Sequence, residues 1–204
     1  MAQNTKSVFR ILSNPLLYQM LQNILGARKY RKIVAATHVR PRTGLRVLDA
    51  GCGCGDILAF LPETQYVGFD LCKEYIEKAK KRFKEKGTFF CLDVNEVSFE
   101  NHKFDVILAT GFLHHLEDEE VSRLFTSAKK MLAKDGRVIT VDPYLADGQS
   151  PIARFLISKD RGRNVRTVNG YEQIARVSFS NVNIRLYENL LYIPYSHIVL
   201  ECSL

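Results

Sequence analysis

The chain of 204 residues has no tryptophan and only three methionines, and it lacks any apolar run long enough to cross a bilayer. Its first residues have neither the apolar core nor the small-residue cleavage site of a secretory signal. The five cysteines are an odd number and include no Cys-x-x-Cys pair. A single Cys-x-Cys without a second pair does not have the spacing of a zinc site. These absences predict a cytoplasmic protein with no metal site, whose cysteines are small filler in a reducing compartment.

Acidic residues are missing from the first 46 positions, which hold nine Lys or Arg. Residues 47–150 hold eighteen acids against thirteen basic residues, and residues 151–204 are basic again. Basic flanks around an acidic middle favour an anionic partner, although a solvated basic face is the alternative. The flanks lack the dense Lys/Arg stripe with interleaved aromatics that nucleic acid requires, so we expect no nucleic-acid partner. The oligomeric state is left open.

The stretch from Arg46 to Leu58 organises the chain. An apolar run ends at Asp49, and glycines follow at every second position, Gly51, Gly53 and Gly55. This pattern predicts a buried strand, a tight turn and a helix start. Because glycine has no Cβ, a ligand can approach this backbone closely. The N–H groups of the helix start favour a ligand carboxylate or phosphate.

Strands and helices alternate through residues 45–142, which predicts a parallel sheet covered on both faces. Ligands of such sheets bind outside the carboxyl ends of the strands. After Asp142 the pattern changes, and the last two strands are predicted to form an antiparallel hairpin at a sheet edge. The expected later strands are 66–70, 88–92, 104–109, 137–142, 182–187 and 197–202, and the expected helices are 73–86, 118–133, 151–158 and 171–177.

The N-terminal segment, residues 1–40, is predicted to form helices that cover the ligand loop. Asn14 and Pro15 are typical of a helix start, and a second helix is expected over about 29–39. Plain packing against the sheet is one alternative, and a basic amphipathic element on a membrane surface is the other, so peripheral membrane contact stays open. The whole chain is interpreted as one domain, with a core at 45–142 and a substrate-side segment at 143–204.

Three acids limit which class of ligand the glycine loop is predicted to bind. A dinucleotide loop has the pattern G-x-G-x-x-G, but Asp56 stands where its third glycine would be. Asp70 ends the second strand nineteen residues after Gly51, where an acid can accept hydrogen bonds from ribose hydroxyls. Asp93 ends the third strand and is placed to meet an adenine amino group. The sequence therefore predicts an adenosine whose other end is small enough for a glycine turn.

One pattern joins Val47–Gly55, read as V-L-D-A-G-C-G-C-G, to the acids Asp70 and Asp93 and to the later His114–Asp118. Over residues 45–142 this pattern resembles the class I S-adenosylmethionine-dependent methyltransferases. The resemblance implies a three-layer Rossmann-like α/β fold, in which a seven-stranded, mostly parallel sheet has its last strand inserted antiparallel between the fifth and sixth. It implies S-adenosyl-L-methionine as cofactor and S-adenosyl-L-homocysteine as product. The implied cofactor residues are Gly51, Gly53 and Gly55 at the methionine end, Asp49 as organiser of the loop, Asp70 and Leu71 at the ribose, Asp93 and Val94 at the adenine, and Thr110 at the rim.

His114 is the predicted general base, because Leu113–Asp118 is similar to the L-H-D-W-S-D stretch of plant O-methyltransferases. His115 and Leu116 depart from that motif, and the alternative is a histidine that only packs the following helix. Asp142 and Tyr144, after the fifth strand, are expected to face the same crevice and act on substrate. A cationic sulfonium gains from a neighbouring aromatic face, for which the candidates are Tyr18, Tyr144 and the substrate-side Tyr30.

Arg154, Arg161 and Arg166 lie where substrate enters in this family, and arginine forks suit carboxylates and phosphates; a solvated loop is the alternative. We therefore predict in-line methyl transfer to a small-molecule or lipid-like, anionic acceptor. The alternatives are an NAD-dependent oxidoreductase, a non-catalytic S-adenosylmethionine-binding module, and an RNA or protein acceptor. No N-P-P-Y motif follows the fourth strand, which disfavours methylation of adenine or glutamine nitrogen.

Overall fold

A computed structural model of the chain describes residues 24–94, 102–159 and 162–204. The helix predicted to start at Asn14 and the candidate residues Tyr18 and Arg161 lie outside these ranges. Within them, no helix combines the length and apolarity needed to cross a membrane.

Seven strands and five α-helices are described in these ranges. The strands are β1 (Arg46–Ala50), β2 (Gln65–Asp70), β3 (Thr88–Cys91), β4 (Phe104–Thr110), β5 (Leu132–Pro143), β6 (Asn181–Tyr187) and β7 (His197–Ser203). The helices are α1 (Ala27–Val34), α2 (Lys73–Phe83), α3 (Asp118–Met131), α4 (Pro151–Ser158) and α5 (Val168–Ser178).

The strands form one sheet in the order β3-β2-β1-β4-β5-β7-β6. The first five run parallel, whereas β7 is antiparallel to both of its neighbours, β5 and β6. No long helix separates β6 from β7, so their antiparallel pairing follows from the short connection. The predicted fold class, including the inserted last strand, is confirmed.

The sheet is buried on both faces because side chains alternate along each strand. On β4, Ile107 and Ala109 pack into one core with α3 and α5, while Val106 and Leu108 pack into the other with α1 and α2. This two-sided burial explains why the central strands are apolar almost without interruption. The result is a helix–sheet–helix sandwich that holds the strand ends rigidly.

Two local expectations were wrong. The segment after the glycine loop is a short 3-10 helix, Asp56–Phe60, and not the start of an α-helix. Pro62 follows almost at once, and a proline disfavours helical geometry in the residue before it. The helix expected over 29–39 is α-helical only to Val34 and then becomes a π-helical turn, Ala35–Val39.

Candidate functional site

The glycine loop lies between β1 and the 3-10 helix, where the strand order reverses between β1 and β4. Ligands of open α/β sheets bind at such switch points. Gly51, Gly53 and Gly55 have φ values of +69°, +54° and +68°. A side chain at any of them would strain the backbone, so the loop conformation requires the glycines that the sequence supplies.

The three glycines differ in what surrounds them. A Cβ on Gly51 would overlap the ring of Phe112, and one on Gly55 would meet Phe89 at 2.8 Å. At Gly53, no described atom lies within 4 Å of the Cβ position. The loop is therefore packed against the protein at both ends and open at its middle, where a ligand can reach the backbone.

Asp70 holds the loop in this shape. Its Oδ2 accepts a hydrogen bond from the Gly53 N–H at 2.9 Å, and its Oδ1 accepts one from the Cys72 N–H at 2.8 Å. Each carboxylate oxygen can accept a further bond, so the ribose hydroxyls have acceptors available. Leu71 follows and is 70% exposed, which leaves an apolar surface beside the crevice.

Asp49 ends the apolar run of β1 and is buried. The Tyr66 hydroxyl donates to its Oδ2 at 2.5 Å, whereas its Oδ1 has no hydrogen-bond partner among the described residues. Burial, which disfavours the charged form, raises the pKa of Asp49 to about 7. A buried acceptor without a partner is costly, so the site fits a ligand that brings a cationic amino group to this oxygen.

The remaining predicted cofactor residues follow neighbouring strands. Asp93 and Val94, both half-buried, come after β3, and Val94 packs against the core on the α3 side of the sheet. Thr110 ends β4, and its side chain lies close enough to Tyr30 of α1 to counter part of the rise that burial causes in the pKa of the Tyr30 hydroxyl. The carboxyl ends of the strands thus bring the predicted positions to one edge of the sheet.

His114 and Asp142 form a buried pair at this edge. The backbone N–H of His114 donates to Asp142 Oδ1 at 3.1 Å, and its Nδ1 lies 2.7 Å from the same oxygen. Since an ionised carboxylate only accepts, Nδ1 carries the proton in the neutral ring and Nε2 carries the lone pair. A histidine oriented in this way by a carboxylate has the geometry of a general base.

Tyr30 connects α1 to this pair. Burial raises the pKa of the Tyr30 hydroxyl, and the negative charge of Asp142 adds to the effect. The Tyr30 ring stacks on His197 with the ring centroids 5.5 Å apart. The described part of the predicted helical cover therefore reaches, through Tyr30, the edge of the sheet that carries His114 and Asp142.

Tyr144 lies in a neighbouring polar cluster. Its hydroxyl donates to Glu188 Oε1 at 2.7 Å, and Ser196 donates to the other oxygen of Glu188 at 2.8 Å. Burial, followed by the bond to Glu188, raises the pKa of Tyr144 to about 12. The hydroxyl that the sequence predicted to be catalytic is thus engaged by a carboxylate that sequence reasoning missed.

Arg166 is used within the protein. Nε and Nη2 donate to Asp118 Oδ1 at 2.8 and 2.6 Å. The same guanidinium also donates to three backbone carbonyls, those of Leu113, Leu116 and Asn164, at 2.8–3.0 Å. These five bonds occupy its five N–H groups, so Arg166 clamps the His114 segment instead of offering a fork to substrate. Arg154, by contrast, is exposed on α4.

Besides Glu188, sequence reasoning missed two further neighbours of the site. Gly162 packs so closely against His114 that a Cβ there would overlap the imidazole, and Tyr66 is the partner of Asp49. The position of Gly162 inside an arginine-rich loop was the one signal that could have indicated its role. The sequence gives no signal for Tyr66, which resembles any other buried strand residue.

A family model described as a methyltransferase domain matches residues 47–136. Over 164 residues the chain is 30% identical to phosphoethanolamine N-methyltransferase 1 of Zea mays, a match that covers 77% of this chain and 32% of that protein. Over 120 residues it is 29% identical to the ubiquinone/menaquinone biosynthesis C-methyltransferase UbiE of Desulfotalea psychrophila, covering 56% and 48%. The chain thus spans about a third to a half of the length of these curated relatives.

Solved structures share the fold at low identity. The pyocyanin biosynthetic protein PhzM superposes with a TM-score of 0.70 at 17% identity, covering 96% of this chain and 61% of that one. The plantazolicin methyltransferase BpumL, solved in complex with a triazolic desmethylPZN analog and SAH, gives 0.65 at 18%, covering 94% and 92%. The domain match takes in the glycine loop and lies on this sheet topology, so residues 47–136 carry a methyltransferase domain of the class I, S-adenosylmethionine-dependent type.

Proposed function

We propose that this protein transfers the methyl group of S-adenosylmethionine to a small-molecule or lipid-like acceptor that loses a proton in the reaction. The observation that carries the proposal is the buried His114–Asp142 pair at the ends of β4 and β5. The pair lies at the same edge of the sheet as the glycine loop. An oriented base beside a cofactor loop is what acceptor activation requires.

The residues present fit the cofactor. The open backbone at Gly53 and the unpartnered Oδ1 of Asp49 suit the amino-acid end, and Asp70 suits the ribose. Leu71, Asp93, Val94 and Thr110 would complete the site. When bound, the cofactor supplies a methyl group on a sulfonium, which is already a strong leaving group and needs no acid to activate it.

The task of the protein is then alignment and proton removal. Asp142 keeps Nδ1 of His114 protonated, so Nε2 can take the proton of an acceptor hydroxyl or amine. General base catalysis of this kind contributes roughly 10²–10⁴-fold. Good orientation of the reactants lowers the barrier by about 7–11 kcal/mol. Arg166 holds the segment that carries His114, and Tyr30 packs beside Thr110 at the same edge.

The acceptor is proposed to be amphiphilic with an anionic group. Arg154 is exposed on α4, beside Ile152 and Phe155, whose exposed fractions are 59% and 60%. A helix that shows both a guanidinium and apolar side chains supports an acceptor with an acidic head and an apolar body. Arg166 is left out of this proposal, because its donors are engaged.

A methylation assay tests the proposal. The protein is incubated with methyl-labelled S-adenosylmethionine and the polar or the lipid fraction of a cell extract, and products are identified by mass. We expect a labelled product with the wild type, at least about 100 times less with His114→Ala, and an unchanged yield with His102→Ala, a matched histidine exposed ahead of β4. Absence of product from both fractions, or equal turnover by His114→Ala, contradicts the proposal.

A further inference from the structure

A second cavity, of about 560 Å³, lies at the opposite end of the sheet from the glycine loop. It is formed by the amino ends of β1 and β4 and by the early part of β5. Ligand sites for small molecules have volumes of roughly 300–1,000 Å³, so the size is adequate. Five basic side chains line it against two acids, namely Arg40, Arg42, Arg46, Lys134 and Arg137 against Asp105 and Asp135.

Two of the five cations are neutralised locally. Arg46 makes a bidentate pair with Asp105, with N–O distances of 3.1 and 2.8 Å. Arg40 donates to Glu201 Oε2 at 2.5 Å. These pairs form the walls of the cavity and contribute little net charge.

The other three cations are only partly compensated, by Asp135 in the cavity wall and by Glu201, which lies 4.0 Å from Arg137 Nε. The side chains of Arg42 and Lys134 have neither a hydrogen bond nor an ion pair with any residue in the described ranges. Arg137 Nη2 donates to the carbonyls of His38 and Val39 at 2.9 and 2.7 Å. These carbonyls bear no full charge, so the guanidinium remains cationic at the cavity wall.

Arg137 also has an unused donor. Its side chain is 24% exposed, and its Nε lies 4.0 Å from Glu201 Oε2, beyond hydrogen-bond distance. That Nε is buried and has no hydrogen-bond partner among the described residues. Burial lowers the pKa of Arg137, and the charge of Arg40 lowers it further. An anion in the cavity would offset the repulsion between the two guanidinium groups.

We propose that this cavity is a second ligand site, which binds a small phosphate-bearing anion through Arg42, Lys134 and Arg137. Charge-assisted bonds from arginine to phosphate are among the strong hydrogen bonds of proteins. The sheet separates this site from the cofactor crevice, so the two are occupied independently. The proposal does not depend on the proposed function.

The test is calorimetric titration of inorganic pyrophosphate into the full chain. The double variant Arg42→Gln/Lys134→Gln removes the two cations without a described pair partner. The matched control is Lys80→Gln/Lys81→Gln, which removes the same charge from the exposed face of α2. We expect one pyrophosphate per chain, affinity at least about 10 times weaker in the double variant, an unchanged affinity in the control, and the same melting temperature in all three.

Two competition experiments identify the source of the phosphate group. Saturating S-adenosylhomocysteine should leave pyrophosphate binding unchanged, and vesicles of phosphatidylcholine with phosphatidic acid should not compete for it. Competition by either ligand overturns a separate soluble-anion site. No binding by the wild type, or equal weakening in both double variants, also overturns the proposal, because it would indicate unspecific attraction to a basic surface.

Discussion

The two ends of the central sheet carry opposite chemistry. At the carboxyl ends lie three glycines at positive φ and the carboxylates of Asp49, Asp70 and Asp142. At the amino ends lie Arg46 and a cavity with more cations than acids. β1 alone runs from Arg46 to the buried Asp49 within four positions. One apolar sheet thus presents an acidic edge for a ligand with hydroxyls and a cationic group, and a basic edge for an anion.

The largest effect is expected from Asp142→Asn at the acidic edge. An amide can donate to Nδ1 of His114 and stabilise the wrong tautomer, so kcat should fall by roughly 10²–10⁴-fold. S-adenosylhomocysteine affinity should stay unchanged, because the described side-chain hydrogen bonds of Asp142 go to His114 and not to the glycine loop. Steady-state kinetics and calorimetry on the same preparation check this, and a kcat within threefold of wild type would remove His114 from the chemistry.

Asp70→Asn should weaken cofactor binding. The carboxylate accepts the N–H groups of Gly53 and Cys72 on its two oxygens, and an amide retains only one acceptor oxygen. We expect S-adenosylhomocysteine affinity to fall about 10–100-fold, since bonds to charged groups are worth about 1.5–3 kcal/mol. Asp147→Asn, on the turn after β5, is the control and should bind as the wild type does.

Arg166→Lys tests whether the clamp positions His114. Lysine keeps the charge but cannot reproduce five bonds in a fixed fork. We expect kcat to fall about tenfold, with a shifted pH profile and unchanged cofactor affinity, because misplacing a catalytic group by about 1 Å is costly. If KM for the acceptor rises while kcat stays constant, Arg166 binds substrate as the sequence predicted. Arg176→Lys, whose partner is Glu172, is the matched control.

Asp49 should make stability depend on pH. Its pKa is raised to about 7 in the folded chain, against about 3.9 when unfolded. Between these two pH values the folded state binds one proton more than the unfolded state. The proton on Asp49 therefore contributes fully to the free energy of unfolding below about pH 4, and this contribution is lost as the pH rises to about 7. Thermal unfolding of Asp49→Asn should lack this slope. S-adenosylhomocysteine should flatten the slope in the wild type, because the bound ammonium group favours the ionised carboxyl.

The smallest effect is expected from Tyr144→Phe. The change removes one hydrogen bond to Glu188, which keeps its bond from Ser196. Stability should fall by about 1–3 kcal/mol, with kcat within about twofold of the wild type. A 100-fold loss of kcat without a change in melting temperature would show instead that the hydroxyl acts on substrate.

Short-range patterns made most of the fold predictable. The alternating glycines predict the loop, and the strands that are apolar on both faces predict the parallel sheet. Because no long helix follows β6, the next strand is predicted to pair with it in antiparallel fashion. Asp70 was predictable because it ends β2, and the carboxyl end of β2 adjoins the loop. Each of these features depends on residues that are close in sequence or on the order of the strands.

The features that escaped prediction depend on long-range packing. Arg166 has the side chain of an anion ligand, but its acceptors lie about fifty positions earlier, at Leu113, Leu116 and Asp118. Glu188 meets Tyr144 only because β7 is inserted beside β5. The basic cavity draws its cations from two segments that are almost ninety positions apart, residues 40–46 and 134–137. Sequence spacing does not reveal such partners, so the internal bonds of Arg166 could not be predicted from its residue type.

We infer that the acidic edge holds the methyl donor and the basic edge does not. Calorimetric titration of S-adenosylhomocysteine into the wild type, Asp70→Asn and Arg42→Gln/Lys134→Gln tests it most directly, with NAD as the competing ligand. We expect micromolar binding of one S-adenosylhomocysteine per chain, weakened by Asp70→Asn, unchanged in the double variant, and no binding of NAD. Binding of NAD without binding of S-adenosylhomocysteine, or loss of affinity in the double variant alone, would contradict it.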